Sequence, residues 1–387
     1  MKIILFYSSI GQGHISAAHA IEQEILKQVP STTIIKKDIR EFMDPIERML
    51  DEKLYWFVAK NLPDLFDNIF LSMQERGKSV GSLAWLPNDY PEQKVYEYLA
   101  SEVPDAIMAT HYGAAQVLGN LREKGLLPGT KIGWLHTDYF EGYFPRISKR
   151  IDRTFLAHSA LERLWLAAGV FPDLIETTGM PVNIPTSDLN TAKDRLTQIG
   201  FSPTIKTITI ASGKEGVGDF PGVVMSLANA IREPLQIIAV CGHNEKQLRA
   251  LQKIQHKNSK VVKLKILGFI PQSDLVSFIQ ASDLFITKAG GLSPAEAFTI
   301  GKPTILLNVI SGHERENAEL FSRLGMAEFN ADIEKIGAQA WALLLDPEKQ
   351  TSMLTAQQEF RANMDIGKIA RFLLDPQTKA RRVQAGF

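Results

Sequence analysis

Short apolar runs alternate with helix-like stretches along the whole chain. The stretch after the first run places Ile15, Ala18, Ile21 and Ile25 three or four residues apart, which is the spacing of one helix face. The runs themselves have the length and composition of buried strands, and they are Ile3–Tyr7, Thr33–Lys37, Ala106–Ala109, Lys131–His136, Thr154–Ala157, Leu174–Thr177, Lys206–Ile210, Leu235–Val240, Val262–Leu267, Leu284–Thr287 and Thr304–Leu307. Strands that alternate with helices predict parallel sheets covered by helices.

A proline- and glycine-containing stretch near the middle of the chain predicts a domain boundary. Gly179 and two prolines interrupt any regular element between residues 179 and 185, and a new strand–helix series follows. We therefore predict two Rossmann-like, doubly wound α/β domains, 1–182 and 183–364, facing a cleft. The C-terminal residues 365–387 are expected to form a helix that packs back on the first domain. Ligands of such sheets bind beyond the carboxyl ends of the strands.

The composition excludes several classes of protein. Hydrophobic residues make up 45% of the chain and charged residues 22%, which is typical of a folded globular protein. The formal net charge of zero argues against a nucleic-acid partner. No apolar run reaches the ~20 residues that cross a bilayer. The single cysteine, Cys241, allows no internal disulfide and no cysteine metal cluster, so we expect a cytoplasmic protein without a bound metal.

The first candidate site is a glycine turn after the first strand. Gly11-Gln12-Gly13-His14 joins that strand to a helix, and backbone N–H groups point outward at such a junction. The pattern is not the dinucleotide fingerprint, because Ser16 stands where a third glycine is required. A histidine in the first helical turn, His14, has two interpretations: a packing or capping residue, or a neutral imidazole that accepts a proton from a ligand.

The second glycine turn is the stronger local signal. Lys288 to Gly291 follow a predicted strand, and paired glycines allow a ligand to approach the backbone closely. Ser293-Pro294-Ala295-Glu296 has the sequence of a capping box with proline at the first helical position, so we predict that the helix begins there. Glu296 then either closes the helix or accepts hydrogen bonds from the hydroxyls of a ribose.

The order of these motifs resembles a known family of glycosyltransferases. The motifs are Gly11–His14, His136–Tyr139, Gly179–Val182, Gly268–Ile270, Asp283–Gly291, Glu296-Ala297, Gly301–Pro303 and Asn317. They resemble the monogalactosyldiacylglycerol synthases and processive diacylglycerol glucosyltransferases, which are related to the GlcNAc transferase that forms lipid II. The resemblance extends from about residue 3 to about residue 325.

The resemblance implies a GT-B fold and a metal-independent, inverting transfer of a hexose from UDP-glucose or UDP-galactose to a lipid hydroxyl, with diacylglycerol as the expected acceptor. The first domain would bind the acceptor and the second the donor. Asp138 would act as general base with His14 beside it, and Gly11 and Gly13 would line the acceptor site. The implied donor residues are Gly213, Gly216, Phe269, Ile270, Lys288, Gly290, Gly291, Ser293, Glu296, His313, Glu314 and Asn317.

Two positions depart from the family pattern, and other functions stay open. Asn183 stands where the family has arginine, and His313 stands where it has glutamine. The alternatives are a UDP-sugar transferase acting on a cell-wall precursor or another acceptor, a UDP-GlcNAc 2-epimerase, and a UDP-sugar sensor that has lost catalysis. Asp138 itself has a plainer interpretation, as a carboxylate that caps a turn.

Residues 42–71 are rich in large apolar side chains, which predicts a pair of short amphipathic helices around Pro63. Such a surface either packs on its own domain, which is the commoner outcome, or rests on a bilayer as a peripheral membrane contact. A basic cluster at Arg146, Lys149, Arg150 and Arg153 either meets anionic head groups or belongs to a solvated loop.

Overall fold

The computed structural model describes residues 1–10, 13–62, 65, 90–139, 145–182, 184, 189–255, 262–307 and 313–376. The chain divides into two compact units. Unit 1 contains residues 1–182, 311–313 and 363–387, and unit 2 contains residues 183–310 and 314–362.

Unit 1 is built on a six-stranded parallel sheet in the order β2-β1-β3-β4-β5-β6. Its strands are β1 (Lys2–Tyr7), β2 (Thr33–Asp38), β3 (Ala106–Ala109), β4 (Lys131–His136), β5 (Arg153–Leu156) and β6 (Ile175–Thr177). Every residue of β3 and β4 is buried, which explains why these strands are continuous apolar runs rather than alternating ones. All six strands were predicted, with ends that differ by one residue or less.

Helices cover both faces of this sheet. They are α1 (Gly13–Gln28), α2 (Pro45–Asn61), α3 (Glu92–Glu102), α4 (Tyr112–Glu123), α5 (Pro145–Ser148), α6 (Glu162–Ala167) and the C-terminal α15 (Gly367–Leu374). Ile369, Phe372 and Leu373 of α15 are buried in one core with Ile21 and Ile25 of α1. Lys131, at the start of β4, donates hydrogen bonds to three carbonyl oxygens at the end of α15, those of Phe372, Leu373 and Asp375, at 3.0, 2.8 and 2.6 Å. The C-terminal helix is thereby fixed to the sheet of unit 1, as far as residue 376.

Unit 2 contains a second six-stranded parallel sheet in the order β12-β11-β10-β7-β8-β9. Its strands are β7 (Thr207–Ala211), β8 (Leu235–Val240), β9 (Val262–Leu267), β10 (Leu284–Lys288), β11 (Thr304–Leu307) and β12 (Glu328–Asn330). The order is that of a Rossmann sheet. Strand β12 was not predicted, because its three residues are half-buried and include two polar ones, so they form no apolar run.

The helices of unit 2 alternate with these strands. They are α7 (Leu189–Gln198), α8 (Phe220–Ala230), α9 (Glu245–Gln255), α10 (Gln272–Ala281), α11 (Leu292–Ile300), α12 (His313–Arg323), α13 (Ile333–Leu345) and α14 (Pro347–Ala362). Ile208, Ile237 and Ile286, from the three central strands, are completely buried in the main core. The prediction of two Rossmann-like domains is confirmed.

Helix α2 has an exposed apolar face. Ile46, Met49, Leu50 and Phe57 are 65%, 47%, 56% and 56% exposed, so these four side chains do not follow the commoner of the two outcomes left open, packing on their own domain. The helix begins at Pro45, where the carboxylate of the preceding aspartate accepts the N–H of Ile46, and most of the predicted second helix lies outside the described residues. Among the helices that the structure describes, none is long and apolar enough to cross a membrane.

Candidate functional site

The candidate acceptor site of unit 1 lies at the carboxyl end of its sheet. Strand β1 has β2 on one side and β3 on the other, so the chain reverses its winding direction between β1 and β3. Ligands of open α/β sheets bind at such a switch point. His14 follows β1, and Thr110 and His111 follow β3, so these residues flank the switch point directly.

His14 is held by the backbone and side chains that follow β3 and β4. Its Nδ1 lies 2.6 Å from the carbonyl oxygen of Thr110 and 3.1 Å from the hydroxyl of Thr137. A carbonyl oxygen can only accept, so Nδ1 carries the proton. When the ring is neutral, its lone pair is therefore on Nε2. The Thr110 hydroxyl also donates to the backbone oxygen of His14 at 2.9 Å, which fixes the first turn of α1.

His111 extends this site. Its ring packs edge-on against His14 with centroids 4.8 Å apart, and its Nδ1 is buried without a hydrogen-bond partner among the described residues. Burial holds the pKa of His111 well below its ordinary value, and the neighbouring His14 and Arg40 act in the same direction. His111 is therefore a neutral ring beside His14.

Asp138 and the glycines of the first turn are only partly described. Asp138 is half-buried and follows Thr137, the residue that contacts His14, so the structure brings Asp138 and His14 to the same edge of the sheet. A side-chain carbon at Gly13 would have no heavy atom within 4 Å, so the backbone there faces open space. Gly11 lies outside the described residues, and so do Asn183 and the side chain of His313.

The candidate donor site of unit 2 lies at the corresponding edge of the second sheet. The switch point of this sheet is between β7 and β10, and a glycine loop follows each of the two strands. Gly213 has a φ of +72° and open space around the position of a side chain. Gly216 has a φ of +51°, and a side-chain carbon there would lie 1.9 Å from the carbonyl oxygen of Cys241. Gly216 is thus required for packing of the loop, whereas Gly213 faces space that a ligand can occupy.

An ion pair lies beside the second glycine loop. Lys288, the last residue of β10, pairs with Glu314 of α12, whose side chain is 4% exposed. The other oxygen of Glu314, Oε2, is buried and has no hydrogen-bond partner among the described residues. A side-chain carbon at Gly290 would lie 3.1 Å from the Lys288 ammonium and 3.6 Å from the Glu314 carboxylate. A larger residue at this position would therefore crowd the ion pair. Asn317 is buried and donates to the backbone oxygen of Ala289 at 3.0 Å.

The predicted capping box at Ser293 is wrong. Gly291 already has helical backbone angles, with φ −69° and ψ −37°, and it occupies the N-cap position without a side-chain cap. Because the helix therefore begins at Leu292, Ser293 is its second residue and Glu296 is too far along to close the first turn. Glu296 is instead 2% exposed and accepts a hydrogen bond from the side-chain amide of Gln272.

Burial raises the pKa of Glu296 to about 7, and the hydrogen bond from Gln272 acts against that rise. Burying a carboxylate with a single neutral donor costs free energy. Because Glu296 does not close the helix, its role as a ligand-binding group stays a prediction.

Phe269 and Ile270 follow β9 at the same edge of the sheet. Phe269 is 56% exposed and Ile270 is half-buried. The loop they form continues into Gln272, whose hydrogen bond links it to Glu296. The structure therefore brings together, on unit 2, the predicted residues of the glycine loops, of the loop after β9 and of α11.

Sequence reasoning missed two residues of these sites, His111 and Gln272. Each lies in the loop that follows a strand or in the first helical turn after it, which is the position where ligand-binding side chains collect. That position was a usable signal for both residues. It was passed over because neither of them lies in a glycine-rich turn.

Two family models match this chain, one in each half. Residues 14–182 match the family model described as Monogalactosyldiacylglycerol (MGDG) synthase, and residues 207–365 match the Glycosyltransferase family 28 C-terminal domain. The chain is therefore similar to these two families, one over each of its two units. The match of the first model begins at His14 and that of the second at β7, so each covers one of the two candidate sites.

Relatives of known name match nearly the whole of this chain. It is 26% identical over 378 residues to the processive diacylglycerol beta-glucosyltransferase of Bacillus cereus (strain B4264), covering 96% of this chain and 93% of that protein. It is 24% identical over 374 residues to the protein of the same name from Staphylococcus carnosus (strain TM300), covering 96% and 92%.

Solved structures share its fold. The crystal structure of Acinetobacter baumannii MurG has a TM-score of 0.62 and 16% identity, covering 96% of this chain and 99% of that one. The S. aureus MnaA–UDP co-structure has a TM-score of 0.62 and 14% identity, covering all of both chains. These likenesses establish the GT-B fold of this chain.

Proposed function

We propose that the chain transfers a hexose from a UDP-sugar to a lipid hydroxyl, with diacylglycerol as the acceptor and with inversion at the anomeric carbon. The observation that carries the donor half of this proposal is the buried carboxylate of Glu296, held on one oxygen by Gln272. A carboxylate beside a glycine turn accepts hydrogen bonds from a ribose diol, as acidic groups do in other Rossmann-like sites.

The diphosphate would lie between the two glycine loops of unit 2. The open backbone at Gly213 admits it, and the N–H groups at the start of α11 face it with the positive end of the helix dipole. Lys288 adds a positive charge at the same turn. These groups stabilise the charge that develops on departing UDP, so the proposal needs no metal.

The sugar would contact the pair of Lys288 and Glu314. The buried Oε2 of Glu314 accepts a hydrogen bond from a sugar hydroxyl, since it has no partner among the described residues. Burying an acceptor without a donor costs about 1–3 kcal/mol, and a bound hydroxyl recovers part of that cost. Asn317 keeps the backbone of Ala289 in place behind this contact.

The acceptor hydroxyl would lose its proton in unit 1. With Nδ1–H donated to the Thr110 carbonyl, the Nε2 lone pair of His14 is the basic atom of that ring. Asp138, on the same edge, is the second candidate base. In an inverting displacement the acceptor oxygen attacks the anomeric carbon, the bond to UDP breaks on the opposite face, and the hydroxyl proton passes to this base.

The exposed apolar face of α2 supports a lipid acceptor. Ile46, Leu50 and Phe57 offer apolar surface to acyl chains or to a bilayer, and the names of the sequence relatives specify diacylglycerol as their acceptor. We propose a peripheral contact of this helix with the membrane surface, which would deliver the lipid hydroxyl to unit 1.

A matrix of donors and acceptors tests the proposal. The purified protein is incubated with UDP-glucose, UDP-galactose or UDP-GlcNAc, each with diacylglycerol in mixed micelles, with a cell-wall lipid precursor or without acceptor. Released UDP and the sugar product are both measured. Diacylglycerol-dependent UDP release with a β-linked glycolipid from an α-linked donor is the expected result.

Other outcomes select other functions. Turnover restricted to the cell-wall precursor would replace the lipid proposal with a cell-wall transferase, and isomerised sugar without acceptor would indicate an epimerase. UDP binding without turnover on any acceptor would indicate a sensor. The Glu296→Gln variant tests the donor half of the proposal, because it keeps the size of the side chain, removes its charge and should weaken UDP binding.

A further inference from the structure

The ring of His111 has a fixed position at the switch point of unit 1. It packs edge-on against His14, with centroids 4.8 Å apart. The rings of Tyr112 and Tyr90 lie 4.5 and 6.2 Å from it, measured between centroids. A side-chain carbon at Gly113 would lie 3.1 Å from Cε1 and 3.2 Å from Nδ1 of His111, so the glycine lets the ring lie close to the start of α4.

The two nitrogens of the His111 ring have different surroundings. Nδ1 is buried on the side of α4 and has no hydrogen-bond partner among the described residues. Nε2 has no hydrogen bond within the described part of the chain either, but it is not buried. The ring as a whole is half-buried. Nε2 is therefore the nitrogen that a ligand at the switch point can reach.

The start of α4 determines which nitrogen of His111 carries the proton. His111 is the N-cap residue of α4 but forms no side-chain capping bond, so Nδ1 lies beside the N–H groups that begin the helix. These groups carry the positive end of the helix dipole, which disfavours a further N–H at Nδ1. Burial holds the pKa of His111 well below its ordinary value, so the ring is neutral and has one proton. That proton is therefore on Nε2, which donates.

His14 has the opposite arrangement. Its Nδ1 donates to the carbonyl oxygen of Thr110, so its lone pair is on Nε2 when the ring is neutral. Two neighbouring rings thus offer one accepting nitrogen, on His14, and one donating nitrogen, on His111. In diacylglycerol the free hydroxyl can donate to the first, and the ester on the neighbouring carbon has oxygens that only accept.

We propose that His111 binds an ester carbonyl oxygen of the lipid acceptor through its Nε2–H, and that it thereby selects hydroxyl lipids with an ester next to the hydroxyl. This proposal rests on the proposed function, because it assumes that the acceptor is a lipid hydroxyl. His111 would be a residue of acceptor specificity, whereas His14 takes the proton from the hydroxyl.

Kinetics with two acceptors test the proposal. One acceptor is diacylglycerol, and the other is its dialkyl ether analogue, which keeps the hydroxyl and both chains but has no carbonyl oxygens. The wild type is compared with His111→Phe, which keeps an aromatic ring without a donor, and with His111→Gln, which provides a side-chain N–H. His19→Ala, a change of an exposed histidine on α1 bonded to Glu22, is the matched control.

The loss of one hydrogen bond sets the expected size of the effect. We expect the wild type to prefer diacylglycerol about tenfold in kcat/KM, and His111→Phe to lose about tenfold on diacylglycerol but less than about twofold on the ether. His111→Gln should return to within about threefold of the wild type on diacylglycerol. The affinity for UDP should be the same in all these proteins.

The outcomes separate the two proposals. If the wild type forms no glycolipid from either acceptor, the proposed function fails and the specificity proposal with it. If the wild type is active but uses both acceptors equally well, the specificity proposal alone is overturned, and this comparison needs no variant to fold. An equal loss on both acceptors in His111→Phe, or no recovery in His111→Gln, also overturns it, because His111 would then only pack against His14.

Discussion

The side-chain amide of Gln272 donates a hydrogen bond to one oxygen of the Glu296 carboxylate, and so joins the first turn of α10 to the interior of α11. Glu296 is 2% exposed, and its burial raises its pKa to about 7 in spite of this hydrogen bond. The carboxyl group therefore changes its charge within the pH range of ordinary assays.

Stability is expected to fall as the pH rises because of Glu296. Its pKa is about 7 in the folded protein and 4.5 in the reference state, so between these values the folded state binds more protons than the unfolded state. The contribution of Glu296 to the free energy of unfolding is thus highest below pH 4.5 and decreases through pH 7, by an amount on the order of 3 kcal/mol.

Urea unfolding at pH 6 and pH 8 measures this effect. The Glu296→Gln variant carries no titrating group at this position, so its stability should change less between the two pH values, and at pH 8 it should exceed the wild type. An equal pH dependence of the two proteins would contradict the raised pKa.

His14 is expected to act in the chemical step and not in binding of the donor. His14→Ala should lower kcat about 10²- to 10⁴-fold, which is the usual contribution of a general base, while the affinity for UDP stays unchanged because the donor residues belong to unit 2. Steady-state kinetics and calorimetry measure the two quantities. His19→Ala on the same helix α1 serves as the control, and an equal effect of both substitutions would refute the role of His14.

The exposed face of α2 is expected to bind lipid surfaces. Leu50→Glu and Phe57→Glu should each reduce sedimentation of the protein with vesicles that contain anionic lipid and diacylglycerol, because a charge replaces an apolar contact with the bilayer. Affinity for UDP should not change. Phe171→Glu is the matched control, since Phe171 is a 63% exposed apolar residue elsewhere on unit 1. If Phe171→Glu reduced vesicle binding as much as the two α2 variants do, the prediction that α2 is the lipid-binding surface would be wrong.

Lys131 is expected to stabilise unit 1 through the C-terminal helix. Lys131→Met leaves the carbonyl oxygens of Phe372, Leu373 and Asp375 without this donor, and an unsatisfied buried polar group costs about 1–3 kcal/mol. Denaturant unfolding should show a loss of this size. Lys27→Met, which changes a side chain that is 79% exposed, should have little effect.

Local sequence was sufficient to predict the strands whose residues are all buried. Strands such as Ala106–Ala109 and Lys131–His136 lie between helices with both faces covered, so every position is apolar or buried and the run has clear ends. The three-residue strand β12 has no such signature, because pairing with β11 rather than its own composition makes it a strand.

The candidate site residues, which are those of the glycine turns, His14 and Glu296, were predicted from the order of motifs along the chain. That order indicated a site mainly because it resembles a known family, and less because of the local geometry that the motifs predict. The roles of these residues remain predictions. The helix start at Leu292 was missed because the capping-box sequence at Ser293 is compatible with either register, and only the backbone angles of Gly291 decide between them.

The sequence by itself determined the alternation of strands and helices, the two-domain division of the chain and the positions of its glycine turns, because these depend on composition and spacing within short segments. Only the tertiary structure decided that Gln272 meets Glu296, that His243 stacks on Phe269, and that Thr110 fixes the tautomer of His14. These partners are 24, 26 and 96 residues apart in the chain, and the parallel order of the strands places the loops after them at one edge of each sheet.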